Sequence, residues 1–334
     1  MLHFLFGFKW QKSQAHLLLL SKFIRPHTIE DYENSWANVQ SQFWPSWTKV
    51  LGETPSKAIN RFLDEGMLKN ADIPKKLEWK YKIPDLKRML KERNLPVSGN
   101  KGNLILRLIK ADPNGMKEDV YGLNVLICSE KGRKIVDDYL AIEKEKWQNL
   151  NQQVLNALQK RKFKEASLLV LSFNAEQVFP TMLGADLRNP EHFSMCNTHD
   201  IAVLKIIFAS NPKILKNLNK EWLEHLRLAA GMRLLGQVVT KDVIPPNLET
   251  GLVLDGIAAA SMILRHAQNQ ERLAQLRELE GKLVEILGCD DGCICEACEE
   301  IAGKKFKIDE VPELPYEKCT EEMGCRCVYS IVID

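Results

Sequence analysis

Residues 83–110 read IPDLKRMLKERNLPVSGNKGNLILRLIK, and this stretch predicts a helix, an extended loop and a second helix. Apolar residues recur at helical spacing on both sides of a central break, at Leu86, Met89 and Leu90 and again at Leu104, Ile105 and Leu108. Asn94 can adopt the left-handed conformation that ends a helix, and the Leu-Pro pair that follows continues as an extended link. Ser98 or Asn100 can then cap the second helix.

The same part of the chain is strongly basic. Residues 75–110 contain 11 basic and 3 acidic side chains, a net charge of +8, whereas the whole chain of 334 residues carries +2. The second helix begins near Asn100, where free backbone amides and the positive end of the helix dipole suit a phosphate group. Lys101 lies in that first turn, where its charge opposes the dipole unless an anion binds. A solvated basic hairpin is the alternative interpretation.

The stretch resembles the SAP motif, a small nucleic-acid-binding module built as a helix, an extended loop and a helix. The family usually has a glycine before the leucine of the link, where this chain has Asn94, another residue that tolerates positive φ. The matching residues are Leu86, Lys87, Leu90, Leu95, Pro96, Gly99, Lys101, Leu104, Arg107 and Leu108. The resemblance implies that this segment binds nucleic acid.

We expect the SAP-like module to bind the phosphate backbone of a nucleic acid, with DNA as the expected partner and RNA as the open alternative. Phosphate contacts give affinity without sequence information, and binding through them weakens steeply as salt rises. The candidate contact residues are Lys87, Arg88, Lys91, Ser98, Gly99, Asn100, Lys101 and Arg107.

The C-terminal part of the chain concentrates cysteine. Seven of the nine cysteines lie in CDDGCICEAC (residues 289–298) and CTEEMGCRC (residues 319–327). The first stretch contains a CxxC pair, whose spacing lets two thiolates face one tetrahedral ion. We therefore expect a structural zinc site. Its expected ligands are Cys295, Cys298, Cys319 and Cys325, with Cys327 as a substitute for one of them.

Four protein ligands leave no position for water on the metal, so this zinc would fold the tail rather than catalyse a reaction. Cys289 and Cys293 fit the site less well. An iron–sulfur cluster is one alternative use of so many cysteines, and a redox-active CxxC pair is another. Disulfides are a third alternative, but they need an oxidising compartment, and the sequence contains no secretory signal.

The tail also resembles the C-terminal part of phage Mu-type head morphogenesis proteins. That family has a short acidic turn, a CxxC pair, a hydrophobic-Gly-Lys step and proline-rich sequence that ends in Cys-Arg-Cys. It commonly carries a histidine before the final pair, near the place of Cys319 here. The matching residues are Asp290, Asp291, Cys295, Cys298, Ala302, Gly303, Lys304, Pro312, Leu314, Pro315, Cys325, Arg326 and Cys327. The resemblance implies a zinc-stabilised fold and, as an alternative function, a structural role in phage or prophage heads.

The patterns divide the chain into four segments. These are an N-terminal helical region (residues 1–70), the SAP-like module (71–112), an α-helical domain (116–288) and the cysteine-rich tail (289–334). PNG at residues 113–115 is expected to break the chain, and ERLAQLRELEGKLVEIL at residues 271–287 is predicted to be helical. We therefore expect a mainly α fold: a helix-extended-loop-helix module, a helical central domain and a small zinc-stabilised α/β tail.

Few signals point to catalysis. The sequence contains no GxSxG, HExxH or GxxxxGK[ST] motif. His192, Cys196 and His199 occur together in HFSMCNTHD, but this loop-like segment offers no fourth ligand, so we expect neither a metal site nor a Cys-His pair there. We expect a non-enzymatic nucleic-acid-binding protein, with an enzyme whose site lies unrecognised in the helical domain as an alternative.

Charge and hydropathy bear on location and partners. Lys9, Gln11 and Lys12 interrupt the apolar N-terminus, and no segment offers about 18 uninterrupted apolar residues, so we expect a cytoplasmic protein without a membrane partner. Residues 285–334 contain 5 basic and 13 acidic side chains, a net charge of −8. Such an acidic surface suits a protein partner rather than nucleic acid. The oligomeric state stays open.

Overall fold

The computed structural model describes residues 9–33, 46–182, 185–245, 254–278, 283–289 and 294–332. Most of these residues lie in α-helices, and the described strands form three small antiparallel sheets. The prediction of a mainly α fold is therefore confirmed, with β structure both in the tail and outside it.

The contacts between residues divide the chain into two compact units. Unit 1 contains Met1–Lys146 and Glu176–Asp186, and unit 2 contains Trp147–Ala175 and Leu187–Asp334. One long helix, Glu130–Gln159, contributes residues to both units. The division into four segments made from the sequence stays a prediction.

The first unit contains helices and two strand pairs. Its helices are α1 Gln14–Lys22, α2 Glu30–Glu33, α3 Trp47–Leu51, α4 Pro55–Asp64, α5 Ile73–Lys80, α6 Ile83–Glu92, α7 Lys101–Ala111, α8 Pro113–Asp119 and the first half of α9 Glu130–Gln159. Its strands are β1 Leu68–Asn70, β2 Leu126–Cys128, β3 Thr181–Met182 and β4 Ala185–Asp186, which pair antiparallel as β1 with β2 and β3 with β4.

A strand pair marks the two ends of the SAP-like module within unit 1. Thr54 caps α4 through its side chain and Pro55 is the first residue of that helix. The chain then enters β1, which pairs with β2 so that Leu68 lies opposite Cys128. Both residues belong to the buried apolar cluster formed by α1, α3 and α4. The module between β1 and β2 in sequence therefore starts and ends at one core.

The PNG segment begins a helix, so the prediction that it breaks the chain was wrong. The helix α8 starts at Pro113, and the Asp112 side chain accepts a hydrogen bond of 2.9 Å from the backbone N–H of Gly115. Proline fits this first helical position because it lacks the N–H that would have no partner there. Asp112 thus ends α7 and caps α8.

The second unit packs helices against a small sheet. It contains the end of α9, followed by α10 Phe163–Ala175, α11 Pro190–Ala209, α12 Lys220–Leu234, α13 Gly256–Glu278 and α14 Glu296–Glu299. Its strands are β5 Leu283–Leu287, β6 Lys305–Lys307 and β7 Val328–Ile331, in the antiparallel order β6-β5-β7. Cysteines of the tail share one buried apolar cluster with residues of α12 and α13, so tail and helices form a continuous core.

Strand β5 corrects the prediction that residues 271–287 are helical throughout. Val284 and Ile286 are buried while their neighbours on the strand are not, which is the period-two alternation of a half-buried strand. Val284 lies opposite Phe306 on one side and Ile331 on the other. Pairing with these distant segments outweighs the helical spacing of the preceding residues. The neighbouring strand β6 covers Lys305–Lys307.

Candidate functional site

The SAP-like module has an apolar core of its own within unit 1. Helices α6 and α7 pack against each other, and α5 and α8 pack against α7. The buried core residues are Leu77, Leu86, Leu90, Leu104, Ile105, Leu108, Met116 and Val120. Four of the leucines that define the sequence pattern are thus fully buried, at the spacing that the sequence predicts.

Special backbone conformations shape the loop between α6 and α7. Asn94 has a φ of 54° and follows the end of α6, as predicted for a left-handed terminating residue. Gly99 has a φ of 116°, and a Cβ placed there would lie 3.2 Å from the Cβ of Asn103. The Asn100 side chain accepts a hydrogen bond of 3.0 Å from the backbone N–H of Asn103. Asn100, rather than Ser98, is therefore the N-cap of α7.

Two of the basic side chains expected at the phosphate interface hold the module together. The Lys101 ammonium donates a hydrogen bond to the backbone carbonyl of Glu78, near the end of α5. The Arg107 guanidinium donates to the backbone carbonyls of Pro96 and Ser98 in the loop. Both cations therefore fix the position of α7 relative to neighbouring backbone, a role that the sequence pattern did not reveal.

Acidic side chains neutralise part of the basic stretch. Arg88 forms an ion pair of 3.3 Å with Asp85, and Arg93 pairs with Asp112 at 3.1 Å. Lys80 pairs with Asp119. Exposed ion pairs of this kind contribute little to stability, but they reduce the charge available to an outside anion.

Lys87 and Lys91 are exposed on α6, and their charges are available to an outside partner. They lie one helical turn apart, so their side chains share a face of the helix. Neither has an acidic partner among residues 46–182, the continuous described stretch that contains the module. This face of α6 therefore carries two exposed positive charges.

The tail brings the sulfur atoms of the five predicted ligands together. The sulfurs form two groups of three in which all atoms lie within 4.8 Å of one another. One group contains Cys295, Cys298 and Cys319, and the other contains Cys298, Cys325 and Cys327. The sulfurs of Cys295 and Cys319 are 3.7 Å apart, and those of Cys298 and Cys325 are 3.8 Å apart.

The sulfur spacing fits a tetrahedral metal site. A zinc–sulfur bond of about 2.3 Å places the sulfurs of a tetrahedron about 3.8 Å apart. The cavity that the cysteines enclose has a volume of about 10 Å³, so it suits an ion and excludes an organic substrate. No described cysteine forms a disulfide. The donor set and its size therefore fit zinc, although other thiophilic ions share these preferences.

Backbone hydrogen bonds stabilise the thiolate form of Cys295. Cys295 precedes α14 as its N-cap, and the backbone N–H of Thr320 donates to its sulfur at 3.4 Å. Burial alone would raise the pKa of Cys295, but hydrogen bonds from the backbone of Thr320 and Cys298 outweigh it and lower the pKa to about 7. The thiolate, which is the form that binds metal, is thus accessible near neutral pH.

Side chains of helix α13 donate hydrogen bonds to the backbone that carries the last two cysteines of the cluster. The half-buried Arg265 donates hydrogen bonds of 3.2 and 2.7 Å to the carbonyls of Gly324 and Cys325. Asn269 donates to the carbonyl of Cys327 at 3.3 Å. Gly324 has a φ of 80°, and a Cβ there would lie 2.3 Å from the Met262 side chain. The helix therefore fixes the backbone that carries the last two cysteines.

Cys289 lines the same small cavity as the five predicted ligands, although the sequence favours it less. The strand β5 brings it there, because β5 ends at Leu287 and only Gly288 separates it from Cys289. The sequence analysis assigned residues 271–287 to a helix and therefore did not predict this position for Cys289. Cys293 lies outside the described residues.

The HFSMCNTHD segment is helical, which corrects its loop-like interpretation. It lies within α11, where Asn189 is the N-cap. His199 faces Glu271 of α13 at 3.6 Å. The groups of possible metal ligands found among the described residues consist of tail cysteines and do not include Cys196, His192 or His199.

The sequence analysis did not identify the buried carboxyl group of Asp200 in α11. Asp200 is 3% exposed and accepts a hydrogen bond of 3.1 Å from the Ser167 hydroxyl. Burial raises the pKa of Asp200 to about 6. An aspartate on a helix gives no sequence signal of burial, because its burial depends on the helices packed against α11, which include α10 and α13.

Comparison with known proteins identifies one part of the chain. Residues 80–113 match the model of the SAP domain, which overlaps the predicted module and associates it with nucleic-acid binding. This match lies outside the tail, so the tail's resemblance to phage head morphogenesis proteins has no support from it. Comparisons with curated proteins and with solved structures found no match. Among the described residues, no helix is long and apolar enough to cross a membrane.

Proposed function

We propose that this protein binds DNA through the phosphate backbone and that its tail is a zinc-stabilised module for contacts with a protein partner. The observation that supports the first part most strongly is the SAP domain at residues 80–113. The chemistry of its surface supports the same function. Lys87 and Lys91 are exposed and have no acidic partner within residues 46–182, and the free N-terminal amides of α7 suit a phosphate.

The proposed contacts fall into two classes. Lys87 and Lys91 supply mobile positive charge on the exposed face of α6. The backbone around Gly99 and Asn100 supplies N–H donors at the start of α7. Arg88 can contribute once a phosphate competes with Asp85 for it. None of these groups reads a base edge, so we expect affinity for many sequences rather than for one.

Lys101 and Arg107 remain proposed contacts, but with a second function. Each donates to a backbone carbonyl of the module, and a guanidinium has further donors that stay available to an anion. A substitution at either position therefore changes the fold of the module together with its charge. For this reason they are poor tests of phosphate binding, and the lysines of α6 are better ones.

The proposed zinc site uses four of the five clustered cysteines. Cys295, Cys298, Cys319 and Cys325 are the proposed ligands, with Cys327 as a substitute. The 3.7 and 3.8 Å sulfur distances support this assignment. Zinc bound here would hold α14 and the final strand together, which gives it a structural role and leaves no open position for catalysis. The net charge of −8 in residues 285–334 favours a basic protein surface as the partner.

Binding assays with matched nucleic acids test the first proposal. A labelled DNA duplex and an RNA duplex of the same sequence are titrated with the full chain at fixed salt. We expect tighter binding to DNA and displacement by unlabelled DNA of unrelated sequence. Equal binding to both would contradict the choice of DNA, and no binding to either would contradict a nucleic-acid function.

Metal analysis tests the second proposal. Protein purified under reducing conditions is expected to contain zinc that Cys298→Ser removes, because Cys298 belongs to both sulfur groups. Cys196→Ser is the matched control, since this cysteine lies in α11 outside the cluster. Iron with inorganic sulfide, or an absence of metal from protein that is folded, would contradict a zinc module.

A further inference from the structure

A groove between α10 and α11 on unit 2 has an apolar floor. Its volume is about 890 Å³, and its apolar lining residues are Phe163, Leu168, Leu169 and Ile201. From Glu165 to Ser172 the lining residues of α10 recur at three- and four-residue spacing, which keeps them on one helix face. The groove therefore runs along α10, and α11, which packs against this helix, forms its other side.

Part of this floor does not belong to the protein core. Leu168 and Ile201 are half-buried, and among the described residues they lie outside the three buried apolar clusters and the side chains packed against those clusters. Val170 and Leu171, which follow on α10, are buried instead. Leu168 and Ile201 therefore expose apolar surface on the outside of the helix pair, where apolar side chains of a partner can cover it.

The rim of the groove is positively charged. Residues 161–165 read RKFKE and all line the groove, which gives three basic side chains and one acidic side chain. Lys205 of α11 adds a further cation, and Arg161 forms an ion pair with Glu224. Lys164 and Lys205 are exposed, and within the described parts of unit 2 neither has an acidic partner. These two lysines offer positive charge to an acidic ligand.

The positive charge is concentrated at one end of the groove. Phe163, the first residue of α10, stacks on Phe208 near the end of α11, with the ring centroids 5.1 Å apart. The Arg161 guanidinium lies 4.2 Å from the centroid of the Phe208 ring. The start of α10 therefore lies beside the end of α11, and Lys164 and Lys205 are both within one helical turn of this point. The apolar floor extends from there along α10.

We infer that this groove binds an acidic amphipathic helix of a protein partner. From Phe163 to Ser172, α10 rises by about 14 Å, which equals about nine residues or two and a half turns of a partner helix. Apolar residues at positions i, i+3 or i+4, and i+7 of the partner cover the floor of the groove. Aspartate or glutamate residues at one end of the partner helix meet Lys164 and Lys205.

Charge and shape favour this occupant over a nucleic acid or a small molecule. Interfaces with nucleic acid are polar as well as positive, whereas the floor of this groove is apolar. Small-molecule sites enclose most of their ligand, whereas exposed side chains such as Lys164 and Lys205 border this groove. The inference depends neither on the zinc module nor on DNA binding, because the groove lies outside both the tail and the SAP domain.

A pair of synthetic peptides tests the inference with the full-length chain. The probe is a labelled helical peptide of about 15 residues with leucines at i, i+3, i+4 and i+7 and a terminal turn of glutamates. The control peptide has the same leucines and lysines in place of the glutamates. In fluorescence anisotropy we expect saturable binding of the acidic peptide and affinity for the lysine peptide that is weaker by about tenfold or more. Equal binding of both peptides, or no binding of the acidic one, would overturn the inference.

Charge reversal in the rim should invert this preference. The double variant Lys164→Glu and Lys205→Glu should bind the lysine peptide more tightly than the acidic one, because the reversed side chains repel glutamate. Both lysines are exposed, so the fold should persist, which circular dichroism verifies. The matched control in unit 2, Lys216→Glu with Lys220→Glu, should keep the preference of the wild type. An unchanged preference in the rim variant would overturn the inference.

A substitution in the floor tests the apolar contact separately. Leu168→Ser should weaken binding of the acidic peptide by about tenfold, because it replaces an apolar anchor point of the groove. The control is Val238→Ser, since Val238 is a 69% exposed apolar residue of the same unit that does not line the groove. Wild-type affinity in folded Leu168→Ser would show that the floor does not contact the peptide and would overturn the inference.

Two measurements distinguish the proposed partner from other occupants. Unlabelled duplex DNA should not displace the acidic peptide, and sedimentation of the chain alone should give the same oligomeric state for the wild type and Leu168→Ser. Displacement by DNA would assign the groove to nucleic acid, and a dimer that Leu168→Ser dissociates would assign it to a second copy of the chain. Either result would overturn the inference.

Discussion

Removing two charges from α6 should reduce the salt dependence of DNA binding by a defined amount. The perturbation is the double substitution Lys87→Gln and Lys91→Gln. Both side chains are exposed and lie on one helix face, and the apolar core of the module lies elsewhere. The substitution therefore removes charge without removing a contact that holds the fold.

The magnitude follows from counterion release. Each phosphate contact contributes about 0.9 to the slope of log K against log salt, so two contacts contribute about 1.8. Over a fourfold rise in salt, that difference in slope corresponds to a change in affinity of about twelvefold. The double variant should thus bind more weakly than the wild type at low salt, and its affinity should fall less as salt rises.

Fluorescence anisotropy with a labelled duplex at several salt concentrations measures both slopes. The matched control removes two exposed lysines from unit 2, as Lys216→Gln and Lys220→Gln. Its slope should equal that of the wild type. A double variant of α6 that binds more weakly with an unchanged slope would refute the reasoning, because lysines that contact phosphate must alter the number of released ions.

Three further predictions concern stability. Leu104→Ala should destabilise the SAP domain by about 2–5 kcal/mol in chemical denaturation, because Leu104 is fully buried, whereas Leu106→Ala should change little because Leu106 is 59% exposed. Since burial raises the pKa of Asp200 to about 6 from its ordinary value of 3.8, the folded protein retains a proton there that the unfolded chain releases. Stability should therefore fall by about 3 kcal/mol as pH rises from about 3 to about 7, and Asp200→Asn should abolish this part of the pH dependence; an unchanged pH profile would argue against it. A chelator that removes zinc should accelerate proteolysis within residues 283–332 and spare the SAP domain, which limited digestion with mass spectrometry would detect.

Local signals made the SAP domain predictable from sequence. The left-handed Asn94, the cap at Asn100 and the leucine spacing each depend on residues a few positions apart. The structure has all three. The hydrogen bonds of Lys101 and Arg107 were not predictable, because they depend on where carbonyls of α5 and the loop lie after folding.

Distant pairing explains what sequence analysis missed in the tail. Strand β5 is central in its sheet only because β6 and β7, which follow later in the chain, flank it. In isolation its apolar residues continue a helical pattern. The same pairing places Cys289 at the cavity that the clustered cysteines line. The clustered cysteines themselves were identifiable, since the rarity of cysteine elsewhere in the chain and the CxxC spacing are both properties of the sequence.

The central claim is that the SAP domain holds the DNA backbone, and one binding measurement tests it most directly. The affinity of the full-length chain is measured for two duplexes of equal length and unrelated sequence, each at several salt concentrations. The account predicts similar affinities for both duplexes and a steep, equal decrease of log K with log salt. Affinity that does not change with salt would contradict it.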